Sequence, residues 1–326
     1  MNCFLHFLKR QVWTISRKTS FKEQMFRTLN SLNRFGQSKY QAKQESYRQG
    51  NKGKVEGIYS KKTMQDYKKI AEQFQSWAKS KGYHFHSLCD VSDAHIKQYL
   101  TERQTEGRSA WTVSHDLSAL NKIFHREITK KDAGLQARHN SNIKNNRGFG
   151  NNYRTSVYQR NEAMTSFLSA TGIRRQSITT ISPADAIRNN QGTVIGFHVV
   201  EKGGKHRNCY VIKGKQADIT SFVDKHLSNR GNTPFWNKVD KNLNTHWYRG
   251  EYANALYNDL IIARNNRQDY FEGYRNTFVN ASKLEQATSG HGTVTKGYDT
   301  ECLAVVSQNL GHNRIDVVYT NYLSRY

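Results

Sequence analysis

The chain of 326 residues has four cysteines, Cys3, Cys89, Cys209 and Cys302, and no two of them stand at metal-ligand spacing. A zinc ribbon or finger and a disulfide framework are therefore both unsupported, and the usage fits a reducing cytoplasm. Thirteen histidines are scattered and form no H-E-x-x-H pattern. No GxxxxGK[ST] phosphate loop is present, so nothing reads ATP, and Gly148-Phe149-Gly150 is only a fragment of a dinucleotide fingerprint among Asn-rich neighbours. The longest N-terminal apolar run, Cys3 to Leu8, is broken by His6 and ends at Lys9 and Arg10. It is too short to span a bilayer and lacks the basic lead-in of a secretion signal. Acidic residues are also scarce: 26 Asp plus Glu face 50 Lys plus Arg, a formal net charge of +24. That excess points to a polyanionic partner, because each phosphate neutralised releases condensed counterions. A nucleic-acid protein of the cytoplasm, associated with the nucleoid and not with a membrane, is the resulting expectation.

Residues 1–59 carry 12 basic and 3 acidic residues with little apolar pattern and read as a flexible basic arm, with Met25 as an alternative start. Residues 60–127 predict three helices. Met64, Tyr67, Ile70, Ala71, Phe74, Trp77 and Ala78 recur at spacings of three and four before Gly82. A second helix starts near Ser92 and carries Ile96, Tyr99 and Leu100; a third starts at Ser109 and carries Trp111, Val113, Leu117, Leu120, Ile123 and Phe124. These stripes are core positions. On the opposite faces stand Lys61, Lys62, Lys68 and Lys69, with Lys79, Lys81 and Lys97, a candidate phosphate-contacting surface. Residues 128–152, rich in Asn, Lys, Arg and Gly, read as a linker, and 153–326 as a second domain. The half up to residue 150 has net charge +16 and the rest +8, so both halves are suited to grip DNA. The second half opens with a helix around Val157–Ala170. Two strand-like runs follow, Thr193–Glu201 and His206–Ile212, joined by Gly203-Gly204 as a hairpin turn. The fold class is mainly α with a small β-sheet.

Four signals follow in order in the second half. They are Thr171-Gly172-Ile173-Arg174-Arg175, the strand–turn–strand Val200-Glu201-Lys202-Gly203-Gly204-Lys205-His206-Arg207, Tyr274-Arg275-Asn276-Thr277-Phe278, and Leu310-Gly311-His312-Asn313-Arg314-Ile315-Asp316 with Tyr319 and Tyr322 beyond. Together they resemble the tyrosine recombinases, the integrases of phages and genomic islands and their chromosome-dimer-resolving relatives. The marks of that family are TG-L-R, G-K-G-x-K-x-R on a β-hairpin, H-x-x-R, and L-G-H with a tyrosine nine or ten positions on. The resemblance spans roughly residues 60–326.

The resemblance implies a helical core-binding domain, a catalytic domain, and strand exchange through a 3′-phosphotyrosyl link without cofactor, metal or ATP. By that resemblance Arg174 and Arg275 clamp the scissile phosphate, and Lys202, with Lys205 as its rival, protonates the leaving 5′ oxygen. His312 hydrogen-bonds the phosphate or assists proton transfer, Tyr322 is the nucleophile, and Arg207 joins the lysines of the helical domain on DNA. Tyr319 is the competing nucleophile; it stands seven positions after His312, whereas Tyr322 stands ten after it, within the family range. The chemistry suits these residue types. A phenol has a pKa near ~10, so roughly one in a thousand is ionised at neutral pH, a deficit of about 4 kcal/mol. Guanidinium groups stay charged and bind two phosphate oxygens at once, and each such contact supplies roughly 3–4 kcal/mol by analogy with oxyanion-hole donors.

Two departures stand out. Glu272 occupies the histidine position of H-x-x-R when that motif is placed at Arg275, and Ser177 stands where the family often has an acid three positions after its first arginine. One expectation joins them: Glu272 supplies the charge that Ser177 lacks. The tail is also short, since only Leu323 to Tyr326 follow Tyr322 where many relatives exchange a longer helix between subunits. Subunit docking then uses other surfaces, or Tyr322 itself lies on the exchanged segment. The expected partners are double-stranded DNA with specific attachment sites, three further copies of the chain in a tetramer, and accessory DNA-bending proteins. The competing reading is a catalytically weak or inactive DNA-binding relative acting as a regulator. An RNA-binding protein is remote, because no aromatic RNA platform is visible.

Overall fold

The computed structural model describes residues 19–51, 53–139, 155–201 and 204–323. Lys202 and residues 140–152 of the expected linker lie outside these described residues, as do the first 18 residues of the expected arm. The chain divides into two compact units, Met1–Asn142 and Ile143–Tyr326. Both are mainly helical, with a small antiparallel sheet in the second. Among the described residues no helix is long and apolar enough to cross a membrane.

Among its described residues the first unit has five α-helices: α1 (Phe21–Ser31), α2 (Lys39–Arg48), α3 (Lys61–Ser80), α4 (Asp93–Thr105) and α5 (Ala110–Ile123). Each begins at a serine whose hydroxyl accepts a backbone N–H of the first turn; Ser20, Ser38, Ser60, Ser92 and Ser109 are these caps. The starts expected at Ser60, Ser92 and Ser109 are therefore where three of the helices begin. Phe74 of α3 sits at the centre of an aromatic cluster, edge-on to Tyr99 at 5.3 Å and tilted against Phe124 at 5.3 Å. Lys61, Lys62 and Lys69 lie exposed on the outer face of α3, while Lys68 is half-buried over the ring of Phe26. Lys62 pairs with Asp66 one turn on.

The arm expected over 1–59 needs correction. Residues 21–48 form α1 and α2, and Phe21, Met25 and Leu29 are buried in the same core as Phe74 and Leu120. Their spacing of four puts them on one helix face. Ser20 and Glu23 also stand at the spacing of a helix start. The basic, polar background diluted that short stripe below notice. Met25, the alternative start, lies mid-helix and is fully buried. Ile58 then returns the chain to the end of α1 through a 2.7 Å hydrogen bond from its N–H to the Leu32 carbonyl.

The second unit runs α6 (Thr155–Gln159), α7 (Glu162–Thr171), β1 (Ala186–Arg188), β2 (Val194–Glu201), β3 (Lys205–Tyr210), α8 (Gln216–Arg230), α9 (Thr245–Asn265), α10 (Arg275–Phe278) and α11 (Ala281–Thr288). A two-strand ribbon, β4 (Val294–Thr295) with β5 (Tyr298–Asp299), leads into α12 (Thr300–Asn309), and α13 (Asp316–Val318) continues into a π-helical turn, Tyr319–Leu323. The sheet order is β1-β2-β3, all antiparallel, and β2 pairs with β3 from Gly196↔Tyr210 to Glu201↔Lys205. The long helix α9 is the spine: it packs against α7, α12 and the π-helical turn. Tyr252, Ala253 and Leu256 of α9 are fully buried where these elements meet.

The packing of α1 makes a prediction about stability. Leu29→Ala leaves a cavity in a filled core and should cost the first unit about 2–5 kcal/mol, read by urea denaturation of the whole chain. An unchanged transition would mean that α1 is not part of that core.

Candidate active site

The candidate site is built around two helix ends in the second unit. At the end of α7, Gly172 takes a left-handed conformation (φ +60°) and caps the helix with an N–H to Leu168 carbonyl bond of 2.9 Å. A Cβ there would meet the Tyr252 ring at 2.2 Å, so both the turn and the close approach require glycine. At the end of α12, Gly311 (φ +69°) and His312 close a Schellman turn: the Gly311 N–H bonds the Gln308 carbonyl and the His312 N–H the Ser307 carbonyl, each at 2.8 Å. A Cβ on Gly311 would meet Arg207 Nε at 2.8 Å and Arg174 Nη1 at 3.0 Å. The Gly172 and Gly311 positions of the two sequence signals are thus explained by geometry.

Cations gather on the free carbonyls of these helix ends, where the macrodipole is negative. Three consecutive carbonyls of α12 are used. Asn309 accepts from Arg207 Nη1 at 2.6 Å, Leu310 from Arg249 Nη2, and Gly311 from both Arg174 Nη2 and Lys205 Nζ at 3.4 Å. Arg249 lies on α9 and is buried. Its Nη1 donates to the Gly172 carbonyl, its Nε donates to the Tyr322 hydroxyl at 3.1 Å, and its Nη2 lies 3.4 Å from His312 Nε2. Tyr322, itself only 3% exposed, has its hydroxyl 3.3 Å from His312 Nε2. His246, one turn before Arg249, stacks on the Tyr322 ring with centroids 5.1 Å apart and planes within 8°.

Sequence reading missed Arg249 and His246, although His246-Trp247-Tyr248-Arg249 is itself an H-x-x-R. Tyr274-Arg275, followed by Asn276-Thr277-Phe278, offers a second arginine signal in the same half and masks it. Arg275 makes none of the contacts above. Its side chain is 58% exposed, its Nε donates to Asp269 at 2.8 Å, and it lines a separate cavity of about 370 Å³ with Arg264 and Arg267. Glu272 is exposed as well, so it does not supply a carboxylate to this cluster. Arg207, expected on DNA, is 6% exposed; its Nε donates to Glu201 and its Nη1 to the Asn309 carbonyl, while its buried Nη2 meets no hydrogen-bond acceptor among the described residues. Lys205 is in the cluster, while Lys202 lies outside the described residues. Tyr319 is partly buried in the π-helical turn, and no bond joins it to Arg249 or His312 among the described residues.

Burial and the charges of Arg249, Arg174, Arg207 and Lys205 hold His312 down to about 2, so it is neutral. An Arg249 N–H faces Nε2, which assigns the lone pair to that nitrogen and makes it an acceptor beside the phenol. Burial, with Arg249 and Arg207 nearby, presses Arg174 down to about 9; it stays cationic at neutral pH. The phenol therefore stands between a guanidinium donor and a neutral imidazole acceptor.

A neutral His312 couples stability to pH. The unfolded chain takes up its proton near pH ~6.5 and the folded chain does not, so stability falls as pH drops below that value. The slope is at most about 1.4 kcal/mol per pH unit. His312→Asn should flatten the loss of stability between pH 7 and 5 relative to the parent, measured by denaturant melts at each pH. Identical pH profiles would mean that the imidazole is not held neutral.

Comparison with known proteins gives three findings. Residues 54–131 match the family model described as phage integrase, N-terminal SAM-like domain. A search of curated protein sequences finds no match. Among solved structures, the XerH site-specific recombinase bound to its difH substrate in a pre-cleavage complex is similar at 17% identity, covering 84% of this chain and 98% of that one, with TM-score 0.45. The Tn1549 transposon integrase in complex with a circular intermediate DNA is similar at 12% identity, covering 88% and 95%, with TM-score 0.35. The similarity to the phage integrase N-terminal SAM-like domain thus falls on residues 54–131, in the helical first unit.

Proposed function

We propose that this chain is a site-specific tyrosine recombinase that cuts and rejoins DNA through a phosphotyrosyl intermediate, in the integration or excision of a mobile element. The observation that carries the reading is the Tyr322 hydroxyl held by Arg249 Nε at 3.1 Å and facing His312 Nε2 at 3.3 Å. A buried phenol with a guanidinium on one side and an acceptor on the other is suited to losing its proton as it attacks. Arg249 and Arg174 then face the charge that grows on the phosphate oxygens. His246 packs the tyrosine ring in place. Lys205 and Lys202 compete for protonating the leaving 5′ oxygen; the half-buried Lys205 is lowered by burial, Lys283, Arg174 and Arg207, in the direction that eases proton donation.

A phosphodiester brings one negative charge into a site with several cations. Its arrival offsets Arg249 and Arg174 and raises the basicity of His312, so the acceptor becomes effective when DNA is bound. The phosphotyrosyl bond conserves the energy of the broken one, and rejoining needs no nucleotide. The SAM-like domain over 54–131 and the exposed lysines of α3 support a grip on the duplex beside the cut. Attachment sites, a tetramer on two such sites and accessory bending proteins belong to this reading. The competing regulator reading rests on Glu272 in a histidine's place; the stacking of His246 on Tyr322, in an H-x-x-R with Arg249, supports the enzyme instead.

The test is covalent trapping. A pool of nicked duplexes with randomised sequence should yield protein–DNA adducts that survive denaturation, and sequencing the recovered DNA gives the site. Tyr322→Phe should abolish the adduct and Tyr319→Phe should keep it. A mobility shift with no adduct favours the regulator; an adduct lost only in Tyr319→Phe moves the nucleophile.

A further inference from the structure

Glu201 is the one carboxylate among the site's cations in the described residues. It ends β2, immediately before Lys202, and only 2% of its side chain is exposed. One oxygen accepts from Arg207 Nε at 2.8 Å and the other pairs with Arg174. The sheet register places it directly across from Lys205. Arg207 is fixed at its far end by the Asn309 carbonyl, at 2.6 Å, so the Glu201–Arg207 pair is anchored to the end of α12. Arg174 is the more exposed of the two arginines, with 29% of its side chain accessible. Ser177, three positions after Arg174, is buried and donates to the Val200 carbonyl at 3.1 Å, so its hydroxyl supports the strand that carries Glu201.

We propose that Glu201 is a positioning residue for the cleavage step: it holds the Arg174 guanidinium at the site from the floor, with Arg207 as its anchor. The role rests on the recombinase reading. A carboxylate there does two things. It fixes a long side chain that its cationic neighbours would otherwise repel from the site, and it offsets one of their charges without facing the incoming phosphate. Placing the acid on β2 also ties Arg174 to the strand pair that bears Lys205. The phosphate clamp and that candidate proton donor are therefore held by one sheet.

The experiment compares Glu201→Gln and Glu201→Asp with the parent. It uses single-turnover adduct formation on the duplex recovered from the randomised pool and a mobility shift on the same DNA. Gln keeps the size and loses the charge; Asp keeps the charge and fills the space less well. If charge positioning of Arg174 is the role, cleavage falls in the order parent, Asp, Gln. The Gln variant should lose about 10- to 100-fold, as expected for a misplaced reacting group, while the mobility shift changes little. If packing alone matters, Gln matches the parent and Asp is the worse variant, which overturns the proposal. Should Glu201→Gln fail to bind DNA, Arg207→Met, which removes the anchor and leaves the carboxylate in place, takes its part: cleavage must fall with binding kept, and cleavage equal to the parent overturns the role. No adduct from the parent itself overturns the recombinase reading, and the Glu201 role with it.

Discussion

Three backbone carbonyls at the end of α12 determine the arrangement of everything around Tyr322. Asn309, Leu310 and Gly311 have no helical partner for their oxygens, and each holds a cation instead: Arg207, Arg249, and Arg174 with Lys205. A second helix end, at Gly172, adds a fourth carbonyl to Arg249. Burying a guanidinium costs several kcal/mol unless its donors are met. Here two helix C-termini meet them, and the third direction is left for a tyrosine. The left-handed glycines follow from this, since any side chain at Gly311 would collide with the arginines it serves to place.

The electrostatics of the site are correspondingly fixed before any substrate arrives. Arg174, Arg207 and Arg249 crowd one another, Glu201 offsets part of the charge, and His312 stays neutral because burial disfavours its charged form and the nearby cations add to that. A preorganised cationic pocket costs little rearrangement when an anion enters it. Arg249 places its hydrogen bonds on protein acceptors, the Gly172 and Leu310 carbonyls and the Tyr322 hydroxyl, so one guanidinium ties the two helix ends to the phenol.

Much of this was legible in the sequence and some was not. The caps at Ser60, Ser92 and Ser109 and the apolar periodicity of α3 to α5 are local signals, and the structure places helices at each. The hairpin and the glycine signals at Gly172 and Gly311 are local too. The stripe Phe21-Met25-Leu29 was hidden because three apolar residues in a basic, polar stretch give a weak pattern, and only the core of the other helices makes α1 stable. Arg249 was missed for another reason. It is flanked by the aromatic Tyr248 and by Gly250, and nothing local separates a buried arginine from a surface one. Its identity depends on helix ends 77 residues before it and 61 after it in sequence. Glu201 was likewise passed over, because its partner Arg174 lies on a different element.

The proposed recombinase chemistry requires Arg249, and not Arg275, beside the tyrosine. Single-turnover adduct formation should be compared for Arg249→Ala and Arg275→Ala on one trapped duplex, with binding followed in parallel. Arg249→Ala should lose about 10²-fold or more, and Arg275→Ala should stay within about threefold of the parent, as expected for an exposed ion pair. Full activity in Arg249→Ala, with loss in Arg275→Ala, would contradict the site described here.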